Sequence, residues 1–153
     1  MSLSHQVNER WALHADVAQT RWSSIQDIAV INVNSGASVD QLDLRYDDTL
    51  RVALGTTLNV SEHFTWRIGV AQDESPQTDP EFVSARIPDQ DRTWVATGVN
   101  WAFSDHVSID VSYAHLSVDD ATLMDVDETS GRTLRGAFDN QVEIYAAQLN
   151  WAF

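Results

Sequence analysis

Apolar and polar residues alternate with a period of two through most of this sequence, which commits it to half-exposed β-strands. Leu50, Val52, Leu54, Leu58 and Val60 fall on one face and Arg51, Ala53, Gly55, Thr57 and Asn59 on the other. Phe64, Trp66, Ile68 and Val70 alternate with Thr65, Arg67, Gly69 and Ala71. The pattern returns with Val95, Val99, Trp101 and Phe103, with Val107, Ile109, Val111 and Tyr113, and with Tyr145, Ala147, Leu149, Trp151 and Phe153. Successive side chains on a strand point to opposite faces, so each run shows one apolar and one polar or small face. Near the N-terminus, Leu3, His5 and Val7 look like the tail of a strand. Trp11, Leu13, Ala15 and Val17 open a pattern that continues through Trp22 and Ile25 to Ile28, Val30 and Val33. This predicts one long strand with a bulge or bend near Ser23-Ser24.

The connections add topology. Short ones lie at Asn8-Glu9, Ser61-Glu62 and Ser104-Asp105. Long polar ones run from Asn34 to Asp48, from Asp73 to Arg92 and from Asp119 to Asn140. Short and long alternate strictly, which puts all short turns at one end of an up-and-down array. Outer-membrane barrels have this form, with short periplasmic turns and long extracellular loops. A Greek-key sandwich has no reason for such regularity. Trp11, Phe64, Trp66, Trp101, Phe103, Trp151 and Phe153 cluster at strand ends beside the short turns or the C-terminus, as an interfacial aromatic girdle requires. The segments Val99-Asn100-Trp101-Ala102-Phe103 and Leu149-Asn150-Trp151-Ala152-Phe153 nearly repeat, as equivalent strands of one barrel would.

Composition narrows the function. The chain has 23 Asp and Glu against 9 Lys and Arg, a net charge of −14, so phosphate backbones are unsuitable partners and nucleic acid is excluded. No run of about 18 apolar residues exists, so no transmembrane helix is expected; barrel strands escape such a search. With no cysteine, disulfides and thiolate zinc sites are ruled out. The five histidines, His5, His14, His63, His106 and His115, show no metal-ligand spacing. His14 and Asp16 share a strand face as an acid–base pair would, but no nucleophile motif accompanies them, so no enzyme is expected. The acidic stretch from Asp119 to Glu128 lacks the loop order of an EF-hand and reads as a solvated, lipopolysaccharide-side loop. No cofactor and no metal are expected.

The terminal run Tyr145, Ala147, Leu149, Trp151, Phe153 resembles the C-terminal signal of bacterial outer-membrane proteins, which implies the barrel-assembly machinery as a partner. A wider resemblance is carried by His5-Gln6-Val7, Trp22-Ser23-Ser24, Arg51 to Thr57, Trp66 to Ala71, Asp73-Glu74-Ser75-Pro76, Arg86-Ile87-Pro88-Asp89-Gln90-Asp91-Arg92 and Asn150-Trp151-Ala152-Phe153. In order and spacing these residues resemble the C-terminal half of the FadL-type outer-membrane transporters of long-chain fatty acids and other hydrophobic compounds. The loop motif with Asp73, Pro76, Arg86, Pro88, Asp89 and Asp91 is its most specific part.

The resemblance implies an all-β, antiparallel up-and-down transmembrane barrel in the bacterial outer membrane, of which about seven strands are present: the C-terminal half of a 14-stranded barrel. Residues 1–153 are thus expected to form a single partial barrel domain, with no signal peptide and no N-terminal plug, from a longer protein. It also implies passive uptake, with a fatty acid or other hydrophobic molecule entering from outside and leaving sideways into the membrane. Such a ligand needs an apolar slot and a cation for its carboxylate. Arg51 and Arg67 are on the interior face, and Arg92 closes the loop motif. Arg45 falls where the family places a basic ligand contact. A guanidinium can grip a carboxylate with two parallel hydrogen bonds. Against this, Arg51 and Arg67 can simply pair with interior acids such as Asp16 or Asp110, and Arg86 to Arg92 can form a self-paired rigid loop. Two other readings stay open: a small structural or porin-like barrel passing polar solutes, and a soluble β-sandwich or lipocalin-like lipid binder that buries the Val107–Ile109–Val111 face.

Overall fold

The computed structural model describes residues 1–79, 89–127 and 131–153. Strands β1 (Ser2–Asn8) and β2 (Trp11–Thr20) form a hairpin; β3 (Asp27–Ile31) and β4 (Ser38–Asp43) form a second, separate one. The chain then runs through β5 (Thr49–Ser61), β6 (Phe64–Asp73), β7 (Arg92–Ser104), β8 (Val107–Asp127) and β9 (Arg132–Trp151). A seven-stranded sheet has the order β1-β2-β5-β6-β7-β8-β9, antiparallel throughout. It is an up-and-down wall with β1 and β9 as open edges.

The three short turns are built alike. Asn8 Oδ1 accepts from the backbone N–H groups of Arg10 and Trp11, at 2.9 and 3.0 Å. Ser61 Oγ accepts from His63 N–H and Ser104 Oγ from His106 N–H, both at 3.3 Å. In each case a short polar side chain caps its own two-residue turn, the local chemistry that favours Asn and Ser there. A ladder irregularity accompanies every one of them.

Two stretches depart from the sequence expectation. The predicted long strand through Val33 stops at Thr20, and Trp22–Ser24 forms a 3-10 turn instead of a bulge. Ser23 N–H donates to Asp48 Oδ1 at 3.0 Å, and Trp22 packs edge-on against Tyr46 with ring centroids 6.2 Å apart. Contacts from a later loop thus fix the break. Beyond it, β3 pairs only with β4, around a turn in which Gly36 takes a left-handed φ of +69°. The third long loop is also mostly strand. β8 and β9 stay paired out to Asp127 and Arg132, past an irregularity between Val118 and Ala121.

Burial is inverted relative to a water-soluble sheet. Among the described residues, the buried hydrophobics are Leu44, Ala71 and Leu116. The apolar faces of the strands stand uncovered: Leu54 is 58% exposed, Leu149 66% and Trp151 73%. Among the described residues no layer covers Val111, which a soluble sandwich would require. Such a face is stable against hydrocarbon and not against water.

Two indole N–H groups on that outward face are satisfied within the sheet. Trp11 Nε1–H donates to Thr56 Oγ1 at 2.6 Å, and Thr56 Oγ1 donates to the Ala12 carbonyl at 3.0 Å. Trp66 repeats the device, donating to Thr97 Oγ1 at 2.8 Å, with Thr97 Oγ1 3.2 Å from the Arg67 carbonyl. Each threonine supplies the indole N–H with an acceptor inside the sheet. Thr97→Val is therefore expected to destabilise the folded barrel by about 1–3 kcal/mol, the cost of a stranded donor. Thr97→Ser, which keeps the acceptor, is expected to stay near the unsubstituted value. Urea titration in detergent, followed by tryptophan fluorescence, measures both.

Candidate functional site

The ladder registers stack the side chains of the other, concave face into tiers. At the long-loop end Arg51 lies opposite Asp73, and Asp73 opposite Arg92. Below it run Asp16, Ala53, Ala71, Trp94, Leu116 and Val142, then His14, Gly55, Gly69, Ala96, Ala114 and Ile144. The next tier is Ala12, Thr57, Arg67, Gly98, Ser112 and Ala146. Nearer the short turns come Asn59, Thr65, Asn100, Asp110 and Gln148. Two charged or polar zones therefore bracket a zone in which β5 to β9 carry small and apolar side chains, with Asp16 and His14 at its β2 edge. Arg67 is six residues from Asp73 along β6, roughly 20 Å at the rise of an extended strand.

A trough of about 670 Å³ occupies this face, lined by His14, Thr57, Arg67, Asp110, Ile144 and Gln148 around the small residues of the middle tiers. Arg67 Nη1 is 3.4 Å from Asp110 Oδ1. Asp110 Oδ2 accepts from Asn150 Nδ2 at 2.7 Å, and Asn150 also donates to Ser108 at 3.3 Å. His14 has Ser4 Oγ 3.0 Å from Nδ1 and Thr57 Oγ1 3.0 Å from Nε2. The His14–Asp16 pair that their shared strand face allows does not form, since Asp16 accepts from Ser2 across the β1–β2 ladder. Directly opposed cross-strand neighbours stand closer than residues two apart on one strand. Sequence reasoning placed Asp110 as a partner for Arg67 but missed Gln148, Asn150 and Thr57, all of which share the trough's side of the alternation.

The arginines separate. Arg67 lines the trough. Arg92 bridges Asp73 and Asp89 at 3.6 and 3.7 Å, so this part of the loop motif is self-paired. Arg51 stays in the upper tier, opposite Asp73. Arg45 lies in the loops at that end with a left-handed φ of +46°, its side chain 60% exposed and 3.2 Å from Asp43. Arg86 and Pro88 lie outside the described residues.

Around the long-loop mouth the loops are welded together. Ser75 N–H donates to Asp91 at 2.8 Å and its hydroxyl to Asp89 at 3.2 Å. Asp47 N–H donates to the Pro76 carbonyl at 2.9 Å, and Gln77 Nε2 to the Leu44 carbonyl at 3.0 Å. Hydrogen bonds from Ser23 hold the Asp48 carboxyl below its ordinary range, while burial, with Asp89 nearby, pushes the Tyr46 hydroxyl up. Among the described residues no cluster of His, Asp and Glu is able to hold a metal.

All 153 residues match the model of a family described as outer membrane protein transport protein (OMPP1/FadL/TodX). The chain belongs to this family. FadL/TodX proteins are outer-membrane transport proteins, not enzymes, and the seven-stranded wall is that barrel's fold. A long-chain fatty acid transport protein of Escherichia coli O6:H1 is 40% identical over 114 residues, covering 72% of this chain and 25% of the relative. Outer membrane protein P1 of Haemophilus influenzae is 30% identical over 160 residues, covering 97% and 33%. The crystal structure of a Pseudomonas aeruginosa FadL homologue superposes with a TM-score of 0.88 at 29% identity, covering 98% of this chain and 34% of that one. The chain thus spans about a quarter to a third of the length of these FadL/TodX relatives.

Proposed function

We propose that this wall forms part of an outer-membrane conduit for the passive uptake of long-chain fatty acids or other hydrophobic compounds. The observation that carries the reading is the tiered concave face. The Gly, Ala, Leu, Val and Ile side chains that β5 to β9 bring to the middle tiers accept an aliphatic chain, and arginine-bearing tiers roughly 20 Å apart bound it, counted along the strands. The relatives named as fatty-acid transport proteins support the same substrate class. A porin-like route for polar solutes would require charge throughout the interior, and across β5 to β9 the middle tiers do not supply it; Asp16 and His14 stand at their β2 edge.

Closing the conduit takes strands beyond these seven. In lipid, each unpaired backbone group along β1 and β9 costs several kcal/mol, so both edges need antiparallel partners. We read the long-loop end as extracellular, against lipopolysaccharide, and the β9 segment Tyr145, Leu149, Trp151 and Phe153 as the strand offered to the barrel-assembly machinery.

Fatty-acid binding to the membrane-embedded protein, with Arg45, Arg51 and Arg67 changed singly to Ala, tests the carboxylate part. Loss of one charge-assisted pair is expected to weaken binding by roughly ten- to a hundredfold at the arginine that contacts the ligand. Unchanged affinity in all three variants discards it.

A further inference from the structure

We propose that Asp110 sets the carboxylate affinity of the trough by competing with the ligand for Arg67. The inference rests on the transport reading above and adds a residue that determines specificity within it.

The geometry is uneven in a way that serves competition. Arg67 on β6 and Asp110 on β8 are two strands apart, with β7 between them. In register Arg67 faces Gly98, and Gly98 faces Ser112. No side chain at position 98 blocks the guanidinium, so it reaches across the wall to Asp110. A Cβ at Gly98 would lie 3.3 Å from Ser112 Cβ and 3.5 Å from the Val111 carbonyl oxygen.

The two oxygens of Asp110 then have different tasks. Oδ2 is held by Asn150 at 2.7 Å, which fixes the carboxylate to β9. Oδ1 meets Arg67 through one nitrogen at 3.4 Å, with the two side chains 53% and 34% exposed. An open, single-point ion pair biases an equilibrium by no more than about fivefold. A ligand carboxylate that takes two guanidinium nitrogens makes two parallel charge-assisted bonds and wins the arginine. The Asp110 carboxylate, still tethered to Asn150, is left facing a second carboxylate, and that repulsion favours release. A conduit needs such a site: it orients the acid without trapping it. Hydrophobic ligands without a carboxylate do not meet this contest.

The experiment measures binding of palmitate and of hexadecanol to the protein in outer-membrane vesicles. Asp110→Asn keeps the hydrogen bond from Asn150 and removes the competing charge. It is expected to tighten palmitate binding about three- to tenfold and to leave hexadecanol unchanged. In an Arg67→Gln background the same substitution is expected to change neither. Weaker palmitate binding in Asp110→Asn, an equal shift for acid and alcohol, or an effect that persists without Arg67 overturns the proposal. If the unsubstituted protein binds neither probe, the transport reading falls and this inference with it; alcohol binding with no acid preference overturns this inference alone. Heat-modifiable migration on gels confirms that each variant is folded.

Discussion

Val111→Arg is expected to abolish stable insertion, whereas Ser112→Arg, one residue along the same strand, is expected to insert normally. Val111 is 46% exposed on the outward face, opposite Val99 and Ala147. It lies four residues above the turn-side end of β8, roughly 13 Å along the strand, which places it well inside the hydrocarbon. An arginine on the lipid face near the midplane costs about 2–4 kcal/mol. Ser112 lies on the concave face, opposite Gly98 and Ala146, where a guanidinium remains in the trough. The contrast depends only on parity, since the two sites share strand, depth and substituent. Folded protein in outer-membrane fractions, scored by heat-modifiable gel mobility, reads the difference. Equal losses at both positions would show that the wall does not have one lipid face and one interior face.

That parity is what makes β5, β6 and β7 legible from sequence alone. Each of these strands crosses the membrane, and every second side chain is held to the chemistry of one solvent. Legibility ends where that constraint ends. Beyond Val118 the alternation gives way to polar residues such as Asp119 and Asp120, so the sequence looks like a loop even though the ladder continues to Asp127 and Arg132. The break after Thr20 was hidden for another reason. Gln26 donates to the Ser23 and Tyr46 carbonyls, at 2.7 and 3.1 Å, and its own carbonyl accepts from Leu44 and Arg45. All but Ser23 lie about twenty residues away, where a local pattern has no reach. The candidate site divides in the same manner. Parity puts Arg67 and Asp110 on one face, but their contact needs the open lane over Gly98, and His14 turns to Ser4 and Thr57 because the ladder brings them near.

Leu44→Ala is expected to unlock the long-loop mouth while leaving the barrel wall intact. Leu44 is 2% exposed, the most deeply buried large side chain among the described residues. Its backbone ties two loops together, the N–H donating to Gln26 at 2.8 Å and the carbonyl accepting from Gln77 at 3.0 Å. Removing a buried leucine side chain costs about 2–5 kcal/mol, more than any single hydrogen bond in the weld contributes. The wall strands are expected to be spared, because their ladders from Thr49 onward do not include Leu44. Opening of the loops is a local event, and its free energy falls directly with the lost burial. Protease cleavage within the loop residues 44–48 or 74–79 is expected to accelerate more than tenfold, with the melting transition of the strands unmoved. Val33→Ala, at a site 98% exposed on the β3–β4 hairpin, is the matched control and is expected to change neither. If Leu44→Ala instead melts the strands at lower temperature, the mouth and the wall are one cooperative unit. The upper arginine tier would then be fixed by the loops as well as by the sheet, through Arg92 and its bridges to Asp73 and Asp89.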